Sequence, residues 1–155
     1  MVNIIDTHCH LYAEEFNDDR ADAISRAIGQ GVSKILLPNI DLDSIDGLHS
    51  LADEYPEICI PMMGLHPCEV GDDFEAQLQV MENWLNSRPF AAVGEIGTDL
   101  YWDKTYLEEQ RAAFKIQVNW AKTHQLPLVI HAREAFDELF SILDELNDET
   151  LTGVF

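Results

Sequence analysis

His8 and His10 stand two residues apart in the run Asp6-Thr7-His8-Cys9-His10. In extended backbone, residues i and i+2 point to the same side, so both imidazoles can converge on one ion. Imidazole suits zinc, iron, nickel and manganese; carboxylate and water suit magnesium and manganese. Cys9 points the other way and reads as a packing residue. Alone, the histidine pair would equally be two surface residues. Glu95 changes the weighing, because it lies between glycines in the apolar run Ala91 to Gly97. A carboxylate in such a run needs a partner. A salt bridge would serve, but the flanks offer no Lys or Arg. One metal, or two bridged by both carboxylate oxygens, is the better account, and the glycines allow close approach. His131 ends the buried run Leu128-Val129-Ile130. By itself it would be a satisfied core histidine; with His8, His10 and Glu95 it reads as a further ligand. His66, in Gly64-Leu65-His66-Pro67, could bind substrate, shuttle a proton or only anchor its loop. Arg133 could hold a phosphate oxygen or pair with Glu134 or Asp137. Asp6 and Asp99 suit orienting ligand imidazoles or a water.

Those residues need a scaffold that delivers them to one place. Short apolar runs at Ile4-Ile5, Lys34 to Pro38, Cys59 to Leu65, Ala91 to Ile96, Pro127 to Ile130 and Gly153 to Phe155 lack polar alternation. They read as strands of a parallel sheet buried on both faces. Between them, Arg20 to Gln30, Ser44 to Glu54, Glu75 to Asn86, Tyr106 to His124 and Ala135 to Leu146 have helical spacing, with Asp18 or Asp19 to cap the first. Repeated strand–helix–strand units are right-handed parallel βαβ units. Asp6, His8, His10, Asn39, Asp41, His66, Glu95, Asp99, His131 and Arg133 all fall at strand C-terminal ends, which in a parallel barrel form one catalytic face. His49 and His124 fall within helices and read as surface residues. An open doubly wound sheet also fits the element order, but no glycine-rich phosphate turn follows the first strand.

With 155 residues, the length suits one domain, 1–155. A barrel typically takes eight strands and about 250 residues. Six strands would leave open edges, so a fragment, a truncated product or closure by another chain is expected, with the sixth strand exposed or pairing outside the chain. Nine Lys+Arg against 29 Asp+Glu give a net charge of −20. That excludes a broad nucleic-acid-binding surface and confines phosphate chemistry to a local, metal-borne site. Apolar content of 46% excludes a disordered acidic tail. No run approaches the roughly 18–20 apolar residues of a membrane span. The start of the chain does not read as a signal peptide, and three unclustered cysteines suit reduced thiols, so a cytoplasmic protein is expected.

Asp6-Thr7-His8-Cys9-His10-Leu11, Gly64-Leu65-His66-Pro67, Gly94-Glu95-Ile96-Gly97 with Asp99-Leu100-Tyr101, and Ile130-His131-Ala132-Arg133 together resemble the TatD family of metal-dependent deoxyribonucleases. The family belongs to the amidohydrolase-like barrels, and the likeness runs along the whole chain in order. It implies an α/β fold of (β/α)₈ TIM-barrel type, with six strands and five helices in this chain. It implies that His8 and His10 bind one divalent ion, that the catalytic Glu95 bridges two, and that His131 binds the second. The ions would be Mg²⁺ or Mn²⁺ in function, with Zn²⁺ also compatible. His66 and Arg133 remain the substrate-binding candidates. The implied activity is hydrolysis of DNA phosphodiesters from the 3′ ends of single strands; some relatives act on RNA or aminoacyl-tRNA. Thr98 and Leu100 stand where Leu and Tyr are more usual. The family pattern continues with a histidine after the sixth strand and an aspartate, the implied general base, after the eighth. Both lie past Phe155, so this chain by itself is expected to be far less active than a longer one. Two other readings stay open: a metal-dependent amide or ester hydrolase, and an inactive metal-binding or interaction remnant.

Overall fold

The computed structural model describes residues 3–155. Six strands alternate with five helices: β1 Ile4–Asp6, α1 Arg20–Gly29, β2 Val32–Pro38, α2 Ile45–Glu54, β3 Cys59–Met62, α3 Phe74–Ser87, β4 Val93–Asp99, α4 Leu107–His124, β5 Leu128–Arg133, α5 Phe136–Leu146 and β6 Gly153–Val154. Short 3₁₀ turns lie at Glu14–Phe16 and Pro67–Glu69. Every strand pair is parallel, in the orders β1-β2-β3 and β4-β5-β6. A bridge between Met63 and Val93 joins the two sets. The result is barrel-like but not closed. Among the described residues β1 pairs only with β2, and β6 only with β5. The exposed edge expected of the last strand is present, with Val154 and Phe155 about three-fifths exposed.

Burial explains why these runs fold as they do. Leu37, Met62, Met63 and Ile96 on the sheet are fully covered, and Leu48, Met81, Phe114 and Leu139 supply the helical cover. Shortening one such Leu or Met to Ala costs about 2–5 kcal/mol. On α4 the buried stripe is interrupted by two glutamines, Gln110 and Gln117. Each clamps the backbone at or next to a candidate site residue. Gln117 accepts from Leu65 N at 2.7 Å and donates to Leu65 O at 3.3 Å. Gln110 accepts from Asp99 N at 2.9 Å and donates to Asp99 O at 3.3 Å. At the end of β2, buried Asn39 donates to Asp41 O and Gly64 O, each at 2.9 Å, and so ties two strand ends together. These polar groups keep the loops on this face fixed, because a buried group that lost its partner would pay the full cost of desolvation.

Two expectations need correction. His49 is not a surface residue. It is buried on α2, edge-on to the Trp84 ring at 4.3 Å between centroids. Burial and the charge of Arg88 push its pKa down, so it packs as a neutral aromatic ring. Asp19 does stand at the start of α1, but its side chain makes no capping hydrogen bond. It is drawn instead to Arg26, 3.2 Å away on the next turns of the helix. His124 is partly buried at the end of α4. The three cysteines are free thiols, with Cys9 packed against the core as expected. No helix among the described residues is long and apolar enough to cross a membrane.

Candidate metal centre

β4 carries Glu95 in its middle, and its register with β5 sets Gly97 opposite His131 and Asp99 opposite Arg133. Gly97 makes that pairing possible. Its φ is +150°, and a Cβ there would sit 2.0 Å from the His131 carbonyl oxygen. His8 and His10 arrive from the loop just after β1, and His66 from the loop after β3, ahead of the 3₁₀ turn.

These chain ends meet on Glu95. Its Oε2 lies 3.1 Å from His8 Nε2 and 3.9 Å from His10 Nε2. Its Oε1 lies 3.0 Å from His131 Nδ1 and 3.8 Å from His66 Nε2. The carboxylate is only 13% exposed, and among the described residues its charged neighbours are all histidines. The salt-bridge alternative to Lys or Arg is not what the fold builds. Two donor groups result, His8–His10–Glu95 and His66–Glu95–His131, each with ligand atoms within 4.8 Å of one another. His8, Glu95 and His131 also border the open interior of the sheet, a cavity of about 460 Å³.

Hydrogen-bond direction assigns the free nitrogens. The Pro38 carbonyl can only accept, so the Tyr12 hydroxyl donates to it, at 2.5 Å. The same phenol oxygen lies 2.8 Å from His10 Nδ1 and must accept there. His10 thus keeps its proton on Nδ1 and presents the Nε2 lone pair to the cluster, as a metal ligand must. On the other side Asp99 accepts from His131 Nε2 at 2.8 Å, which leaves His131 Nδ1 facing Glu95. The other oxygen of Asp99 is taken by Tyr101 N at 2.9 Å and Trp102 N at 3.2 Å. His66 differs. Its Nδ1 accepts from Cys68 N at 3.2 Å, so the neutral ring carries its proton on Nε2 and points a donor into the site. That suits contact with an anionic oxygen better than ligation, although its position alone would place it with the second donor group.

Charge follows the same contacts. The hydrogen bond to Glu95 outweighs burial and raises the pKa of His8, and the bonds to Glu95 and Asp99 do the same for His131. Burial and the neighbouring His8 lower that of His10. Burial pushes His66 down to about 4. Burial opposes ionisation of Glu95, but hydrogen bonds from His131 and His8 more than offset it and hold the carboxyl well below its ordinary range. Asp99 is lowered against burial in the same way, by His131 and the two backbone N–H groups.

Asp6 orients no imidazole: its carboxylate accepts from His8 N at 3.2 Å and so shapes the backbone. Arg133 pairs with neither Glu134 nor Asp137 among the described residues. Its guanidinium stacks over Tyr101, 3.7 Å from the ring centroid, and lies 5.1 Å from that of Trp102.

The family model for TatD related DNase matches residues 5–155. The chain belongs to the TatD-related DNase family. It is 31% identical over 151 residues to a metal-dependent hydrolase named YabD, described as uncharacterized, from Bacillus subtilis strain 168; the match covers 97% of this chain and 59% of that protein. A 3′-5′ ssDNA/RNA exonuclease TatD of Pectobacterium carotovorum is 28% identical over 140 residues, with 90% and 54% covered. The crystal structure of the TatD homolog YjjV from Escherichia coli K12 superposes with a TM-score of 0.83 at 33% identity, covering 92% of this chain and 55% of that one. The chain thus spans a little over half the length of the relatives it matches. The TatD-family match is consistent with a donor set made only of imidazole and carboxylate. Such a set suits divalent ions of the Mn²⁺ and Zn²⁺ kind, and the two faces of Glu95 suit a pair of them.

Tyr12 was not legible as a functional residue, since a phenol after a histidine motif reads as core. Tyr12→Phe is expected to weaken metal binding at the His8–His10 side about ten-fold, as removal of an outer partner of a ligating histidine does. Titration with Mn²⁺ or Zn²⁺ by calorimetry would measure it, and ¹⁵N spectra of the His10 ring would show the proton no longer fixed on Nδ1. Unchanged affinity would show that the phenol only fills space.

Proposed function

We propose that residues 1–155 form one domain that supplies most of a two-metal centre for hydrolysing phosphodiester bonds at 3′ ends of single-stranded DNA. The observation that carries this reading is Glu95, whose two oxygens each face a separate pair of imidazoles and, among the described residues, pair with no Lys or Arg. His8, His10 and Glu95 would hold one ion, and Glu95 with His131 the other. When bound, divalent ions supply Lewis acidity toward phosphoryl oxygens and make water acidic enough to react near neutral pH. They also reverse, locally, the field of a chain with net charge −20. Asp99 fixes the His131 ring, Tyr12 fixes the His10 ring, and the neutral His66 donates Nε2–H to a non-bridging oxygen. Arg133 offers its guanidinium to a neighbouring phosphate. Nuclease-named relatives support nucleic acid as the substrate class. The ions would be Mg²⁺ or Mn²⁺.

The test is release of nucleotides from 3′-labelled single-stranded DNA with added Mg²⁺ or Mn²⁺ and a chelator control. It should be run on this chain and on one continued by about one hundred residues, toward a usual barrel length. Chelator-sensitive release, much stronger in the longer chain, is expected. Activity insensitive to chelator would refute the metal reading, and hydrolysis confined to amides or carboxylic esters would refute the phosphodiester one.

Metal affinity should also depend on pH with a defined sign. His8 and His131 have raised pKa values, so protons compete with the ions up to and somewhat above 6.5, the ordinary histidine value. Affinity for Mn²⁺ is therefore expected to rise with pH through 6.5 and then level off once both rings are neutral. His66, held at about 4, is neutral throughout and adds nothing to that rise, and His10, lowered from the ordinary value, titrates below the other two. Calorimetric titrations across pH 5.5–8.5 would check it, and a flat profile would contradict the ligand assignment.

A further inference from the structure

Beside the metal centre lies a second cavity, of about 290 Å³, between the 3₁₀ turn after His66 and the loop after β4. Cys68 and Glu69 form one wall, Trp102, Asp103 and Tyr106 the other, and buried Asp99 is at its base. Its walls are tied to the catalytic groups. Cys68 N donates to His66 Nδ1, and Trp102 N donates to Asp99, which holds His131. Trp102 is 69% exposed, more than any other large apolar side chain described. No Lys or Arg lines this space. The nearby cation, Arg133, stands over Tyr101 and at the Trp102 ring instead.

Building on the nucleic-acid reading above, we propose that this cavity is a nucleobase subsite. A base beside the scissile phosphate stacks on Trp102, with its edge toward the carboxylates of Glu69 and Asp103. The division of charge argues for it. A cavity walled by carboxylates and free of cations rejects a phosphate, but accepts a neutral planar ring whose exocyclic N–H groups can donate to those oxygens. The phosphate is left to the ions and to Arg133. Indole faces stack bases without regard to sequence, which suits a single-strand substrate. Carboxylate acceptors add a preference: adenine and cytosine carry an exocyclic amino group and thymine does not. Asp99 couples the two functions, because one carboxylate positions both the His131 ring and the loop that presents the indole.

Trp102 also provides the readout, since Trp120 is buried and Trp84 is packed on His49. With Mg²⁺ present and cleavage blocked by phosphorothioate linkages, short oligonucleotides of dA, dC or dT and an abasic strand of equal charge are titrated against the chain's fluorescence. Quenching by the base-bearing strands, in the order dA and dC before dT, and none by the abasic strand, is expected. Trp102→Ala should abolish the quenching and raise KM for hydrolysis about ten-fold with kcat little changed, in keeping with loss of one stacked base, and Trp102→Phe should restore KM. Equal response to the abasic strand, or an unchanged KM in Trp102→Ala, would overturn the subsite. If strands are hydrolysed while Trp102 stays silent, the subsite falls and the nuclease reading stands. If bases quench Trp102 but no strand is cleaved with metal present, the subsite stands and the nuclease reading falls.

Discussion

In the chain continued by about one hundred residues, replacing Glu95 by Gln is expected to leave the protein folded but without the proposed paired metal site and its turnover. Among the described residues the carboxylate is the group shared by both donor groups, facing His8–His10 through Oε2 and His131–His66 through Oε1. Gln keeps the volume and planar shape, so packing beside Ile96 and Gly94 has no reason to change. It removes the charge, however, and turns one of the two faces from an oxygen acceptor into an N–H donor. A donor cannot ligate, and the imidazoles on that side then face an amide. Loss of an outer partner of a ligand costs about 10–100-fold in affinity or activity, and loss of the shared ligand should cost at least that. The absorption of Co²⁺ would report each site, calorimetry with Mn²⁺ the stoichiometry, and thermal melting the fold. Two ions bound with wild-type affinity to Glu95→Gln would end the bridging assignment. A collapsed melting curve would show that Glu95 holds the strands rather than the ions.

The gathering of His8, His10, Glu95 and His131 was legible in the sequence because the histidines follow apolar runs, Glu95 is a lone carboxylate inside one near its end, and a parallel sheet sends such ends to one side. The hydrogen bonds that set the tautomers were less so. Asp99 could be expected to orient an imidazole, but which one depends on the β4–β5 register, which puts it beside Arg133 and within 2.8 Å of His131. Tyr12 was hidden because its partner, the Pro38 carbonyl, belongs to another strand 26 residues on. Gln110 and Gln117 left a trace, polar residues seven apart on an otherwise apolar stripe, yet only the packed fold shows that each clamps a loop backbone. β4 runs on to Asp99, past the apolar stretch that ended at Ile96, because its pairing partners are backbone groups of β5 and take no notice of side-chain polarity. His49 misled for the opposite reason. A histidine on a helix reads as polar, but beside Trp84 its neutral ring packs like an aromatic.

Among the glycines at which an added Cβ meets a neighbour, Gly97→Ala should be the most damaging. The added Cβ would lie 2.0 Å from the His131 carbonyl oxygen and 3.0 Å from its carbon, both backbone atoms of the neighbouring strand that no rotamer change can move. The residue also holds φ at +150°, a conformation that side chains other than hydrogen rarely adopt. Strain of that kind costs on the order of 1–3 kcal/mol, and forcing a methyl into close packing costs a similar amount again. Relief requires β4 and β5 to separate at the point where they bring Glu95 and His131 together, 3.0 Å apart. Stability and metal binding should therefore fall together, unlike in Glu95→Gln. Gly29→Ala is the matched control. Nothing lies within 4 Å of its added Cβ, at the last turn of α1. There the methyl should be neutral or stabilise by up to about 1 kcal/mol through helix propensity. Thermal melts of both variants with and without Mn²⁺ would decide the matter. A Gly97→Ala chain that melts near the wild type and binds the ion normally would mean that the β4–β5 pairing does not hold the two ligands in register.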